Sequence, residues 1–122
     1  MLPNVEAQTL PAIGELTAEV LGPDGDRRAA LEVAQNLDLP FWKRTNLGNF
    51  NPTTLRPVFG TVEIEPVPPG QGVYVADLQT ALAERPEVVR KYWGKAVETN
   101  FNKFTALNAA LARDGVVVHV PR

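Results

Sequence analysis

The segment with the clearest chemical potential is the run Trp42-Lys43-Arg44-Thr45, where two cations follow an aromatic ring. Guanidinium and ammonium groups bind anions well, so this run has the form of a docking segment or of a contact to a nucleotide phosphate. The simpler interpretation, which we favour, is that Trp42 is a packing anchor next to two solvated charges, because a partly buried tryptophan is a common packing residue.

Other candidates for chemistry are few. His119 is the only histidine, and the chain contains neither cysteine nor serine, so a Ser/His/Asp triad and a thiolate metal site are excluded within this chain. A lone strand histidine is usually structural. Glu63 and Glu65 lie on alternate positions of a possible strand and have the form of a carboxylate pair, but Pro66 next to them indicates a solvated edge.

Composition sets the outer limits. The 122 residues are enough for one small domain, and 44% of them are hydrophobic. A net charge of −2 gives no general basic field for nucleic acid. No apolar run approaches the roughly 18 residues that a transmembrane helix needs, and the N-terminus lacks the pattern of a signal peptide. We therefore expect a cytoplasmic protein that binds neither membrane nor nucleic acid.

The first half of the chain predicts two helices and then a region of loops. A short helix is expected within residues 15–21, and a longer one to about Leu37 that Asp24 or Asp26 would cap. Residues 38–72 are rich in proline and glycine, which prevents long helices. Within that region, Thr61 to Glu65 alternates as a short edge strand does.

The second half carries stronger signals. Residues 72–76 predict a strand, and Asp77 is a suitable cap for the helix that follows. Pro86 suits the first turn of the next helix, in which Val89, Tyr92 and Trp93 share a face and predict core packing, and Gly94 ends it.

Thr99 or Asn100 is expected to open the strongest helix. Its apolar stripe, at helical spacing, consists of Phe101, Phe104, Leu107 and Leu111. Asn108 lies among these positions. Its amide is suited to binding a ligand, but the interpretation we favour is that it bonds the chain near the Asp114-Gly115 turn.

The segment Val116 to Val120 predicts a strand that is apolar on both faces, as in sheets covered on both sides. A single strand leaves its backbone groups without partners. We expect it to pair within the chain with residues 72–76, or with the same strand of a second molecule to give a dimer. We also expect it to begin a larger β structure that continues beyond Arg122.

Three segments resemble a known family. Residues 103–121 match the pattern F-x-A-L-N-x-A-x-x-x-D-G-x-x-x-x-V-P, and residues 39–47 match W-[KR]-x-T-x-L. The stretch 77–92 is similar to a third pattern that ends in P-E-x-V-x-K-Y. Together they resemble the SufB/SufD family of iron–sulfur cluster assembly proteins over about residues 39–122, and the Trp42 pattern is typical of SufD. The matching residues are Trp42, Lys43, Arg44, Thr45, Phe104, Leu107, Asn108, Asp114, Gly115 and Pro121.

The resemblance implies a fold and a role. Residues 1–115 would form a small, mostly helical α+β N-terminal domain, and residues 116–122 the first strand of a right-handed β-helix. The role implied is that of a non-catalytic subunit of the SufBCD complex, with a SufB-like subunit and the SufC-like ABC ATPase as partners. The complex handles the iron–sulfur cluster, and the family's cluster-related positions lie outside this segment. No catalytic, cofactor-binding or metal-binding residue is therefore expected here.

Two alternatives belong to other functional classes. The chain would also suit a free-standing α/β adaptor domain that binds proteins. An enzyme that uses carboxylates or lysines has less support, because no two acid–base candidates have a recognisable spacing.

Overall fold

The computed structural model describes residues 10–21, 25–65 and 72–122. Within these residues it contains two 3₁₀ turns, Ile13–Glu15 and Pro52–Thr54, five α-helices and one two-stranded sheet, which confirms the predicted α+β class. The helices and strands are α1 (Ala18–Leu21), α2 (Gly25–Asn36), β1 (Tyr74–Asp77), α3 (Leu78–Glu84), α4 (Pro86–Tyr92), α5 (Lys103–Leu111) and β2 (Val116–His119).

The chain divides into two compact units. The first comprises residues 1–58 and 97–111, and the second comprises residues 59–96 and 112–122. No helix among the described residues is long and apolar enough to cross a bilayer.

The first unit is built on the packing of α2 against α5. Ala30 and Ala34 lie four residues apart on α2, and Ala106 and Ala110 do the same on α5, so each pair occupies one helix face. All four are buried, and such small side chains let two helices approach closely. The buried residues of this core are Ile13, Leu16, Leu21, Ala30, Leu31, Ala34, Ala106, Leu107 and Ala110.

The predicted stripe of α5 is only partly correct. Leu107 is buried, and Phe104 and Leu111 pack against the core from partly buried positions. Phe101 was wrongly placed, because it lies before the helix and is 75% exposed.

The predicted start of this helix at Thr99 or Asn100 is also wrong. Asn102 caps α5: its Oδ1 accepts from the Thr105 backbone N–H at 2.9 Å, and Thr105 Oγ1 accepts from the Asn102 N–H at 3.0 Å. This reciprocal pair satisfies two donors at the helix start.

The second unit contains the sheet. β1 and β2 are antiparallel, with Tyr74 opposite His119 and Asp77 opposite Val116. The predicted pairing within the chain is thereby confirmed. Within the described chain β2 is not covered on both faces: Val116 and Val118, and Val120 just after the strand, are all more than half exposed.

The helices of the second unit follow their sequence signals at the ends and only in part on the faces, where Leu78, Ala81 and Val89 are buried as predicted. Asp77 caps α3 and accepts from the Thr80 N–H at 3.0 Å, and Pro86 occupies the first turn of α4. Gly94 has a φ of +72° just after α4 ends, a conformation that glycine adopts without strain. The predicted core packing of Tyr92 and Trp93 is wrong, since both side chains are exposed.

In the region between the helices, the predicted strand at Thr61 to Glu65 is absent: those residues form neither strand nor helix. The part of the proline-rich region at residues 66–71, and Asp24 as a possible cap, lie outside the described residues. The helix expected within residues 15–21 is shorter than predicted and begins at Ala18.

Candidate functional site

The run Trp42-Lys43-Arg44-Thr45 forms a tight turn that follows α2. The Thr45 N–H donates to the Trp42 carbonyl oxygen at 3.1 Å, and the same two residues form an isolated β-bridge. Lys43 and Arg44 are the central residues of the turn and both are exposed. The turn therefore presents two adjacent cations to solvent on a backbone that is held by its own hydrogen bond.

The indole of Trp42 is anchored on α5. Its ring stacks on the Phe104 ring with 5.7 Å between centroids and 17° between planes. Offset stacking of this kind adds about 0.5–1.5 kcal/mol beyond the burial of area. Trp42 nevertheless stays 46% exposed, so the predicted packing anchor is correct for one part of the ring only. Two of the predicted family-motif residues are thus in direct contact although 62 positions separate them.

Lys103 fixes the chain where it leaves α2, and sequence reasoning did not identify it. Its Nζ donates to the Ala34 carbonyl oxygen at 2.6 Å and to the Leu37 carbonyl oxygen at 2.9 Å. The last carbonyls of a helix lack partners within the helix. An ammonium group donates hydrogen bonds to them and interacts favourably with the negative, C-terminal end of the helix dipole. Lysine is almost never buried unless it is paired, so the sequence carried no signal for a side chain that is only 8% exposed.

Below the turn, Asn46 and Gly48 shape the rest of the loop. The Asn46 side-chain oxygen accepts from the Gly48 N–H at 2.8 Å, and Gly48 has a φ of +56°. Residues 39–48 together surround a concavity of about 450 Å³. The candidate site in the first unit is this concavity with its exposed cations and half-exposed indole.

The Asp114-Gly115 turn belongs to the second unit and its contacts are structural. Asp114 Oδ2 accepts from the Gly60 N–H at 2.9 Å, and the Gly115 carbonyl oxygen accepts from the Leu78 N–H at 2.9 Å. The turn therefore joins three separate stretches of the second unit. The predicted bond from Asn108 is wrong, because that residue is exposed on α5 and the described contacts include no hydrogen bond from it to the turn.

Gln79 takes the role that was expected of Asn108. Its Nε2 donates to the Arg113 carbonyl oxygen at 2.9 Å, next to the turn, while the Arg113 guanidinium lies 4.7 Å from the centroid of the Phe59 ring. A glutamine on an exposed helix face gave no sequence signal for this bond.

The strand β2 lines a groove of about 1000 Å³ in the second unit. Pro121 lies at the end of this groove, and its Cγ would stand 3.3 Å from a Cβ placed on Gly72. His119 is part of the lining, but it stands opposite Tyr74 in the sheet, and the described residues contain no group of three His, Cys, Asp or Glu that could hold a metal ion. The lining is largely apolar and includes Val89, Tyr92, Trp93, Val116, Val118, Val120 and Pro121.

Two ionisable groups of the second unit have shifted pKa values. The hydrogen bond from the Thr80 hydroxyl to Asp77, with the bond from the Thr80 N–H, lowers the pKa of the Asp77 carboxyl. Partial burial raises the pKa of the Tyr74 phenol, and so does its 2.8 Å hydrogen bond to Glu84. The hydrogen bonds behind these shifts hold local structure together: those at Asp77 cap a helix, and the one at Tyr74 joins the sheet to α3.

Comparison with known proteins identifies the family. The family model described as "SufBD protein N-terminal region" matches residues 42–122, which include both the Trp42 turn and the Asp114-Gly115 turn. The chain belongs to the SufBD family. The predicted SufB/SufD membership is therefore confirmed, and with it the assignment to iron–sulfur cluster assembly proteins at the level of the family.

Individual relatives agree. An iron–sulfur cluster assembly SufBD family protein of Synechocystis sp. is 33% identical over 98 residues, which cover 77% of this chain and 20% of the relative. The iron–sulfur cluster assembly protein SufB of Bacillus subtilis is 36% identical over 52 residues, which cover 43% of this chain and 11% of the relative. The chain thus spans at most about a fifth of the length of these relatives.

Proposed function

We propose that this chain is the N-terminal module of a cytoplasmic, SufD-like subunit of a SufBCD-type complex, where it has a non-catalytic assembly role. The observation that carries the proposal is the family match over residues 42–122. The SufD branch is supported by the run Trp42-Lys43-Arg44-Thr45, which resembles the SufD pattern. A relative named SufB also matches, so the branch rests on that motif.

The uncovered face of β2 supports the proposed place of the module in a longer protein. Val118 is 59% exposed on a β-branched, apolar strand, and such strands are normally covered on both faces. We propose that β2 is followed by the strands of a right-handed β-helix, whose next coil would lie over the groove. Stacking of neighbouring coils is the source of stability in that architecture.

The non-catalytic role is supported by composition. The chain has no cysteine, no serine and one histidine, so the usual cluster ligands and nucleophiles are missing from its own residues. Cluster chemistry and ATP hydrolysis would belong to other parts of the proposed complex, which includes a SufB-like subunit and a SufC-like ABC ATPase.

A genetic experiment separates this proposal from the alternative of a free-standing adaptor. The coding segment for the chain is deleted in frame from the chromosome, and aconitase activity is measured in iron-limited cells as a readout of [4Fe–4S] assembly. A fall in activity that a plasmid copy of the intact gene restores would support the proposal. Aconitase activity equal to that of the parent strain would contradict it and favour the adaptor.

A biochemical experiment tests the division of labour. The 122-residue chain is added to the purified SufC-like ATPase of the same organism, and phosphate release is measured with and without it. We expect no change in rate, because the proposed contact with the ATPase lies elsewhere in the longer protein. A clear increase in rate would overturn this part of the proposal.

A further inference from the structure

The concavity at residues 39–48 exposes aromatic surface that the first unit does not use. Phe41 is 92% exposed and Trp42 is half-exposed. Burying a phenylalanine side chain contributes about 1.5–3 kcal/mol, so the fold gains nothing from leaving Phe41 in water. Exposed aromatic residues that sit together are typical of surfaces that bind partners.

The surface is held in place before any partner arrives. Lys103 fixes the carbonyl of Leu37 just before the loop, and the Trp42 indole rests on Phe104. The Trp42–Thr45 hydrogen bond then fixes the backbone that carries the two cations. A preorganised surface loses less conformational entropy on binding than a free loop does.

The local charge differs in sign from that of the chain. Between Asp38 and Glu63 there are three cations, Lys43, Arg44 and Arg56, and no carboxylate, whereas the whole chain carries −2. Lys43 and Arg44 follow the two aromatic residues directly in sequence, line the same concavity and are themselves exposed. Exposed cations next to exposed aromatic surface are complementary to an acidic surface that bears an apolar side chain.

We propose that the Trp42 surface, defined as residues 39–48, is a docking site for an acidic segment of a partner protein that inserts an apolar side chain beside Phe41 and Trp42. The segment's carboxylates pair with Lys43 and Arg44. Nucleic acid fits less well, because its binding sites carry a larger basic field than two cations on a chain with a pI of about 5.4. The inference does not depend on the function proposed above.

The test titrates the isotope-labelled 122-residue chain with a synthetic peptide and follows amide chemical shifts. The probe is an acetylated and amidated octapeptide of two central leucines flanked on each side by three glutamates. We expect shifts confined to residues 39–48, and weaker binding by about tenfold when glutamine replaces every glutamate or glycine replaces both leucines. An oligothymidylate of eight nucleotides and anionic phosphatidylglycerol vesicles serve as competing probes.

Matched variants locate the contact. The double variant K43E/R44E should weaken peptide binding at least about tenfold, whereas R90E/K95E, with the same change in net charge on exposed residues of the second unit, should leave it unchanged. Phe41→Ala should weaken binding about fivefold without changing the melting temperature, because the side chain is almost fully exposed. Melting curves of all variants separate loss of binding from loss of folding.

Four results would overturn the proposal. They are the absence of shifts at residues 39–48 up to millimolar peptide, equal binding of the glutamine peptide, equal weakening by R90E/K95E, and tighter binding of the oligonucleotide or the vesicles than of the acidic peptide.

Discussion

Replacing Lys103 with methionine removes the ammonium group that links α5 to the end of α2, while the methionine side chain keeps most of the packing of the lysine stem. The change leaves the Ala34 carbonyl oxygen, which is buried with its 2.6 Å bond, without a partner. The carbonyl of Leu37 is only partly buried and is able to take up water instead.

The expected magnitude follows from these two environments. A buried acceptor that is left without a partner costs about 1–3 kcal/mol, whereas the Leu37 carbonyl, which water can reach, costs little. Removing a poorly hydrated ammonium group offsets part of this loss. We expect a net decrease of about 1–2 kcal/mol in the free energy of unfolding. With a urea m-value of about 2 kcal/mol/M, which is ordinary for a small protein, the midpoint shifts down by about 0.5–1 M.

Urea unfolding followed by circular dichroism measures this shift, and Lys95→Met is the matched control. Lys95 is exposed in the second unit, so its replacement should stay within about ±0.5 kcal/mol. In a Trp93→Phe background, Trp42 fluorescence should shift to longer wavelength in the Lys103→Met protein as the loop loosens. Equal midpoints for Lys103→Met and Lys95→Met would refute the argument that the ammonium group secures the end of α2.

Three further predictions concern stability and cluster binding. Leu107→Ala should lower the free energy of unfolding by about 2–5 kcal/mol, because Leu107 is buried in the core of the first unit. Phe101→Ala should change it by less than about 0.5 kcal/mol, because Phe101 is exposed. Equal melting temperatures for the two variants would show that the α5 face with Leu107 is not the buried one. Asp77 has a folded-state pKa below its unfolded value, so its stabilisation of α3 is present above the unfolded pKa and is lost as the pH falls through the folded pKa. Asp77→Asn should therefore flatten the acid limb of a plot of unfolding free energy against pH. An unchanged acid limb would contradict this. Anaerobic incubation with iron and sulfide should leave no charge-transfer absorption on the gel-filtered chain, and a stoichiometric cluster spectrum would disprove the expectation that this segment binds no cluster.

Much of the local structure was predictable because its causes are local. The cap at Asp77, Pro86 in the first turn of α4 and the glycine after it each act within one helical turn, so their residue types were sufficient. The pairing of β2 with the strand near residues 72–76 was also predictable, because few other segments of the chain are apolar enough to form a strand.

Only the separate sequence motifs of the candidate site were predictable, and not the contact between them. The run at residues 42–45 and the helix that contains Phe104 were both visible as separate motifs, but nothing in either indicated that the two rings stack. Contacts between residues far apart in sequence depend on how the helices pack, and periodicity does not encode that choice. For the same reason a bond near the Asp114-Gly115 turn was expected from Asn108, whereas the structure shows one from Gln79 to the neighbouring Arg113 carbonyl oxygen.

The sequence by itself determined the family, the class of fold and the absence of cysteine and serine chemistry from this chain, since motifs and composition are properties of the residue order. Tertiary structure alone decided which side chains are buried and which are exposed to solvent. It buried Lys103 by giving its ammonium group two carbonyl partners, and it left Tyr92 and Trp93 in water on a helix face that was expected to pack. The physical reason is that burial depends on which surfaces meet, and neighbours in space are set by the packing of whole elements.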